Sequence, residues 1–242
     1  MCGRYVMAKA IGDLVAEAEA EADENLQLRH SWNIAPTTDV PIVLERVIDG
    51  VVHRQIHVAR WGLVPGWAKD LSVGVRAFNA RSETVAEKPT FRSALKKRRA
   101  AVPVEGYYEW KKEGGTKRPF FVHRPAGELI FFAGLYEWWK DSDDSWILST
   151  SILTMPSPPE GEPGVLGQLA TLHDRLPIPM DRAMMADWLN PEAEDAAGML
   201  DRLRDEAYAV AAQWTMHEVD SAVGNVRNDS PALIEPHNSQ LF

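Results

Sequence analysis

Residues 100–153 read AAVPVEGYYEWKKEGGTKRPFFVHRPAGELIFFAGLYEWWKDSDDSWILSTSIL, and this stretch decides the fold. Five runs rich in Val, Ile, Tyr, Phe and Trp alternate with the turn clusters EGGT, PAGE and DSDD. This alternation predicts consecutive β-strands joined by tight turns, with GGTK at 114–117 as one hairpin turn. Strands joined in this way pair antiparallel, so we expect a largely antiparallel sheet.

The flanking sequence adds a hairpin and several helices to these strands. Residues 41–62 predict a hairpin around Asp49-Gly50. Helical patterns occupy 9–24, 82–98 and 181–189, and a further helix is expected after Asn190 as cap and Pro191, before a strand at 208–214. We predict an α+β fold, with one domain over 1–242, a curled, barrel-like core flanked by helices, and a polar tail from about 228.

The amino-acid composition indicates a globular protein. The chain has 242 residues, 45% of them hydrophobic and 25% charged, which is typical of a globular domain. A single cysteine excludes an internal disulfide, and no 18-residue apolar run or signal-peptide pattern is present. We therefore expect a soluble, cytoplasmic protein, monomeric and not bound to a membrane.

The charge is unevenly distributed along the chain. The net charge is −9, yet residues 76–124 carry thirteen Lys and Arg against five Glu, a net charge of +8. Either this segment forms a solvated basic surface that offsets acidic helices, or it binds an anion such as a phosphate backbone.

Several common sites lack their sequence patterns. G-x-G-x-x-G, G-x-x-x-x-G-K-[ST] and G-x-S-x-G are absent, so dinucleotide, P-loop and hydrolase-elbow sites are not supported. His53 and His57 have no third metal ligand nearby in sequence. We expect neither a metal nor a cofactor.

Cys2 is one residue from the start of the chain, in MCGRY. It could be an accident of a terminus, a buried small hydrophobe, or a nucleophile that must be terminal. Removal of the initiator Met would leave an α-amine beside the thiol, and an α-amine has a pKa of about 7.7–8.0 against about 10.4 for lysine. Such an amine can attack an aldehyde to give an imine, and the thiol can then close a thiazolidine ring.

Four other residues could complete such a site, and each also has an ordinary interpretation. Glu109 is a candidate proton-transfer group on a strand or a solvent-facing carboxylate, and His173 is a candidate imidazole or a structural histidine. Asn79 could hold the amine or cap a helix. Arg81 could bind phosphate or be a surface charge.

A set of motifs spread over nearly the whole chain resembles one family. They are MCGRY, WNIAPTT, RWGLVPGWAKD, FNARSETV, PTFR, VPVEGYYEW, FAGLYEWW, LHDRLP and NDSPALIEP. In this order they are similar to SRAP (SOS response-associated peptidase-like) proteins, which crosslink covalently to abasic sites in single-stranded DNA. The resemblance runs from Cys2 to about Pro236.

The resemblance implies the residues of the site. Its catalytic positions fall on Cys2, Asn79, Glu109 and His173. Its DNA-binding positions fall on Arg4, Asn33, Pro36, Trp67, Arg81, Trp110 and Thr154. Glu105 lies outside the motif, and Ala100 stands where the family often has a second cysteine. The implied partner is single-stranded DNA containing abasic sites.

Two other functions compete with crosslinking. One is an N-terminal-nucleophile peptidase or amidase that also removes Met1, with the Cys2 thiolate as nucleophile. The other is a noncatalytic reader of damaged or modified DNA, in which Cys2 has no chemical role. Crosslinking to an abasic site, amide turnover without crosslinking, and reversible binding alone would distinguish the three.

Overall fold

The structure, a computed structural model, describes residues 2–237. Its strands are β1 (Tyr5–Met7), β2 (Ser31–Ile34), β3 (Asp39–Ile48), β4 (Val51–Trp61), β5 (Asn79–Arg81), β6 (Arg99–Val104), β7 (Gly106–Glu113), β8 (Thr116–His123), β9 (Ile130–Lys140), β10 (Trp146–Pro156), β11 (Arg175–Pro177), β12 (Pro179–Met180) and β13 (Thr215–Glu218). Its α-helices are α1 (Ile11–Ala18), α2 (Arg92–Lys97), α3 (Val165–Leu172), α4 (Arg182–Leu189) and α5 (Ala196–Ala211).

Five strands close into a barrel. The ring runs β10–β4–β3–β6–β9 and returns to β10, because β9 and β10 pair antiparallel along most of their length. Gly134 lies at a crowded point of this ring, where a Cβ would come within 3.0 Å of the Ser151 carbonyl oxygen. The short strand β5 joins the outside of the ring by parallel pairing with β10.

A second, five-stranded sheet lies beside the barrel, in the order β13–β8–β7–β1–β2. In it β1 pairs with β7, and Tyr5 is opposite Tyr107. The N-terminus is therefore held between two strands of an antiparallel sheet. This arrangement fixes the place of Cys2, which precedes β1.

The predicted strands of residues 41–62 and 100–153 are confirmed. The five runs of residues 100–153 form β6 to β10, and GGTK includes the turn between β7 and β8. The hairpin of β3 and β4 turns at Asp49 and Gly50, whose φ angles of 51° and 80° are both positive, as a type I′ hairpin turn requires. The predicted α+β fold with a barrel-like, largely antiparallel core flanked by helices is likewise confirmed.

Four local predictions need correction. The N-cap of α5 is Asp195 and not Asn190. The Asn190 side chain instead accepts a hydrogen bond from the Glu192 backbone N–H in the turn before this helix. Residues 208–211 belong to α5, since Leu203, Ala207 and Val210 continue one buried helical face. Of 82–98 only the part that forms α2 is α-helical, and α1 ends at Ala18 rather than continuing to 24.

The segment after β13 packs on the second sheet. Leu233 is buried with Val6, Tyr108 and Phe121, and the Asp229 carboxylate accepts from the Trp32 backbone N–H at 2.7 Å. The predicted tail from about 228 is thus packed as far as the structure describes it, and residues 238–242 lie outside the described part. None of the helices within residues 2–237 has both the length and the apolarity needed to cross a membrane.

Candidate functional site

Cys2 lies inside the protein, although it is almost terminal in sequence. Its side chain is 0% exposed and belongs to the main hydrophobic core. Burial raises the pKa of the Cys2 thiol far above its usual value, and the charge of Glu109 raises it further. A hydrogen bond from the Arg4 backbone opposes this shift only in part. At neutral pH the group is therefore a thiol and not a thiolate.

Asn79 holds the backbone of Cys2. It begins β5, opposite Ile152 of β10, and its Nδ2 donates to the Cys2 carbonyl oxygen at 2.8 Å. The Oδ1 of the same side chain is buried and has no hydrogen-bond partner among residues 2–237. A buried acceptor without a donor is costly, so this oxygen is placed to accept from a group that enters the site.

Glu109 lies on β7, next to the N-terminal segment. The Tyr108 backbone N–H donates to the Arg4 carbonyl at 2.9 Å, and this pairing brings the following residue, Glu109, alongside the chain that leads to Cys2. Glu109 is only 6% exposed, and its Oε1 accepts from the Trp110 backbone N–H at 3.3 Å. Its carboxylate is close enough to affect the pKa of both the Cys2 thiol and the Tyr107 hydroxyl.

Two buried tyrosines surround the thiol. Burial raises the pKa of Tyr5 and of Tyr107 well above the usual range, and ionisation of Cys2 would raise both further. The Tyr5 hydroxyl is buried without a hydrogen-bond partner in the described part of the chain. Its ring packs against Trp61 with the centroids 4.8 Å apart. Both phenols therefore remain protonated and can donate hydrogen bonds.

His173 lies directly after α3, the helix that packs against β7. Its Nδ1 accepts from the Arg175 backbone N–H at 3.0 Å, and the same nitrogen is 2.7 Å from a carboxylate oxygen of Asp174. The His173 side chain is about a quarter exposed. His173 thus lies at the end of α3, which packs against β7, the strand that carries Glu109. The Arg175 backbone N–H in the following turn holds the His173 ring.

Two of the predicted DNA-binding residues are exposed. Trp67 is 61% exposed, and its indole N–H lies 3.4 Å from the Pro89 carbonyl. Arg81 is exposed at the end of β5, two residues beyond Asn79 and so on the same side of that strand. Arg81 forms no ion pair with any residue of 2–237.

Three other predicted DNA-binding residues are partly buried: Arg4, Pro36 and Trp110. Trp110 is half-buried, with the Arg4 guanidinium 5.9 Å from its ring centroid. Arg4 also donates to Asn33 Oδ1 and to the Val223 carbonyl, both at 2.9 Å. Pro36 is half-buried beside a cavity of the same loop. DNA binding by these residues stays a prediction.

The remaining two, Asn33 and Thr154, are buried. Asn33 is 5% exposed and donates to the carbonyls of Val223, Asn225 and Asn228. Thr154 is 0% exposed, and its hydroxyl accepts from the Arg175 guanidinium at 3.3 Å. Their observed contacts are structural. DNA contact by either side chain stays a prediction, and it would require the surrounding segments to move.

The basic segment 76–124 divides into two parts. Most basic residues up to Lys97 are exposed, whereas Arg98 pairs with Glu137, Arg118 with Glu218 and Arg124 with Glu128. Arg99 is buried and donates to backbone carbonyls. The first part therefore consists of exposed cations, whereas in the second part Lys112 and Lys117 are exposed and the other basic residues are paired or buried.

Sequence reasoning missed an ion pair close to the site. The Arg175 guanidinium contacts both oxygens of the Glu83 carboxylate, and these hydrogen bonds lower the pKa of Glu83 to about 2. Both residues belong to quoted motifs, FNARSETV and LHDRLP, but they are far apart in sequence. Nothing in one sequence shows that these two charges meet.

Within residues 2–237, no three His, Cys, Asp or Glu side chains are grouped so as to bind a metal ion. The functional groups described above are a thiol, an amide, a carboxylate and an imidazole. Together with an α-amine, these groups can transfer protons and form a covalent bond to a carbonyl carbon.

The chain is similar to known proteins over nearly its whole length. The family model for SOS response associated peptidase (SRAP) matches residues 1–226. The abasic site processing protein YoqW of Bacillus subtilis (strain 168) is 32% identical, with 98% of this chain and 100% of that protein covered. The abasic site processing protein YedK of Escherichia coli (strain K12) is 28% identical, with the same shares covered.

The fold is also found among solved structures. A crystal structure of a protein from Bacteroides thetaiotaomicron superimposes with a TM-score of 0.78 at 21% identity, covering 97% of this chain and 99% of that one. Likeness at this identity concerns the fold alone. The family match over most of the chain and the identity to YoqW decide the classification: this chain belongs to the SRAP family.

Proposed function

We propose that this protein processes abasic sites in DNA by linking Cys2 covalently to the aldehyde of the opened sugar. The observation that carries the proposal is the 2.8 Å hydrogen bond from Asn79 to the Cys2 carbonyl, which holds the N-terminal residue beside Glu109. The relatives reported above are named as abasic site processing proteins, and this supports the same substrate here.

The reaction needs the α-amine of Cys2, which removal of Met1 would expose. The amine attacks C1′ of the ring-opened sugar, and the carbinolamine that forms loses one water to give an imine. The thiol then adds to the imine carbon, its proton passes to nitrogen, and a five-membered thiazolidine ring closes. Overall, one aldehyde and one aminothiol give one thiazolidine and one water.

The raised pKa of the Cys2 thiol supports this order of steps. A neutral thiol is a weak nucleophile, whereas an α-amine is substantially unprotonated near neutral pH. The amine therefore attacks first, and sulfur adds only after the imine has formed. The same property counts against the peptidase alternative, in which a Cys2 thiolate would have to attack an amide.

The neighbouring groups have distinct roles in this scheme. Glu109 transfers protons while the sugar ring opens and the imine forms. The Asn79 Oδ1, which lacks a donor in the described chain, accepts from the Cys2 amine and orients it. His173 stabilises the sugar hydroxyl or oxyanion.

The DNA strand follows the exposed cations of residues 76–97 and the Trp67 ring. Single-stranded DNA is bound by a basic groove with aromatic surfaces on which bases stack. Arg81 contacts the phosphate next to the abasic site, because it lies on the same side of β5 as Asn79. The acidic remainder of the chain repels DNA elsewhere.

Three single-stranded oligonucleotides test this function on a denaturing gel. One contains an abasic site, the second a reduced abasic sugar without an aldehyde, and the third is intact. We expect an adduct that survives denaturation with the first oligonucleotide only. Adducts with all three would show that the aldehyde is not the electrophile, and reversible binding alone would support the reader alternative. Amide hydrolysis without an adduct would support the peptidase.

A further inference from the structure

Glu83 and Arg175 connect three strands beside the proposed site. Glu83 follows β5, Arg175 begins β11, and the Arg175 guanidinium also donates to the Thr154 carbonyl of β10 at 2.8 Å. The Ser82 backbone N–H donates to that same carbonyl at 2.8 Å. The Arg175 side chain is only 9% exposed. A bidentate pair of this kind, in which the arginine is largely buried, fixes orientation as well as distance.

The backbone of Arg175 acts on His173. Its N–H is 3.0 Å from His173 Nδ1, while an Asp174 carboxylate oxygen is 2.7 Å from the same nitrogen. The two contacts exclude each other. Nδ1 accepts from the N–H only when it carries no hydrogen, and it donates to the carboxylate only when it carries one. The Asp174 side chain is 81% exposed, so it is held less firmly than the Arg175 backbone.

We propose that Glu83 is a positioning residue which, through Arg175, keeps His173 in the tautomer that accepts at Nδ1 and carries its hydrogen on Nε2. This inference rests on the proposed function, in which His173 donates to the sugar. Glu83 itself touches no DNA in this scheme. Without the carboxylate, Arg175 loses its tie to the segment after β5 and keeps only its contacts with β10, so the Asp174 contact at Nδ1 competes.

Nitrogen NMR reads the tautomer directly and without DNA. Long-range ¹H–¹⁵N spectra of the wild-type protein at neutral pH are expected to show a His173 ring with unprotonated Nδ1 and protonated Nε2. The His173 signals are assigned by comparison with His173→Gln. In Glu83→Gln the Nδ1 signal should move towards the protonated value. Glu45→Gln is the matched control, because Glu45 forms an ion pair with Arg54 within the β3–β4 hairpin, which carries none of the proposed site residues.

Kinetics provide the second readout. At saturating abasic DNA, the crosslinking rate of Glu83→Gln should fall about 10- to 100-fold, as expected when a reacting group is misplaced by about 1 Å. Its Kd for DNA should stay within about twofold of wild type, and Glu45→Gln should match wild type in both. If Glu83→Gln does not fold, Arg175→Lys takes its place, since it keeps the charge but loses the bidentate geometry.

Two results would overturn the inference: a wild-type His173 tautomer in the variant, or a loss confined to DNA affinity. Failure of the proposed function is a separate outcome. In that case the wild-type protein forms no adduct, while the NMR comparison still decides the role of Glu83.

Discussion

Two asparagines near β1, Asn33 and Asn79, differ in how completely their side-chain atoms are hydrogen-bonded. Asn33 uses its amide N–H groups on three backbone carbonyls and its oxygen on Arg4, so every polar atom has a partner. Asn79 donates to Cys2, but its buried oxygen has no partner among residues 2–237. We infer that Asn33 serves the stability of the fold, and that the Asn79 oxygen is available to accept a hydrogen bond from a bound group.

Glu105 and Glu109 differ in the same way, because one has a structural contact and the other lies at the proposed site. Glu105 accepts a hydrogen bond from the Ala8 backbone N–H, whereas Glu109 is buried beside Cys2. Glu109→Gln removes the proton-transfer group but keeps its size. Crosslinking should slow by about 10²–10⁴-fold, the usual contribution of general acid–base catalysis. Single-turnover rates with abasic DNA measure the effect, and the Kd should barely change.

Glu105→Gln is the control for that experiment, because it changes a carboxylate four residues away that has a structural contact. We expect a near-normal crosslinking rate from it. A reversal of the two results would move the catalytic role from Glu109 to Glu105 and contradict the assignment of the site.

The two asparagines should separate stability from activity. Asn79→Ala frees the Cys2 backbone, so the crosslinking rate should fall about 10- to 100-fold through misplacement of the amine. Asn33→Ala leaves buried carbonyls without donors, so the free energy of unfolding should fall by about 1–3 kcal/mol. Denaturant unfolding and crosslinking rates, measured on both variants, test this division. Equal losses of stability in both variants would remove the contrast.

The smallest expected effect concerns the exposed cations. Arg81→Ala should reduce the slope of log affinity against log salt by about one, because one phosphate contact is lost. Arg118→Ala is matched in charge, but Arg118 is paired with Glu218 and should leave the slope unchanged. If both variants change the slope equally, the whole basic segment binds DNA and its two parts do not differ.

Sequence patterns predicted the strands better than the helix boundaries. The runs of 100–153 were clear because alternating turn clusters separate long apolar segments, while residues 208–211 have the composition of a strand and join α5 through tertiary burial. The structure brings together Cys2, Asn79 and Glu109, which the resemblance selected, and their catalytic roles stay predictions. The resemblance could not show that Thr154 and Asn33 are buried. The Glu83–Arg175 ion pair could not be predicted from the sequence, because it forms only when β5 and β11 both pair with β10 in the folded protein. A cytoplasmic location and a monomeric state stay predictions.

The most direct test of the account is the intact mass of the adduct. Wild-type protein is incubated with a single-stranded oligonucleotide that contains one abasic site, and the denatured product is weighed beside that of Cys2→Ala. The account predicts a product equal to the protein without Met1 plus the oligonucleotide minus one water, with peptide mapping placing the link at Cys2 and with no product from Cys2→Ala. A wild-type amount of adduct from Cys2→Ala, or a link at any other residue, would contradict it.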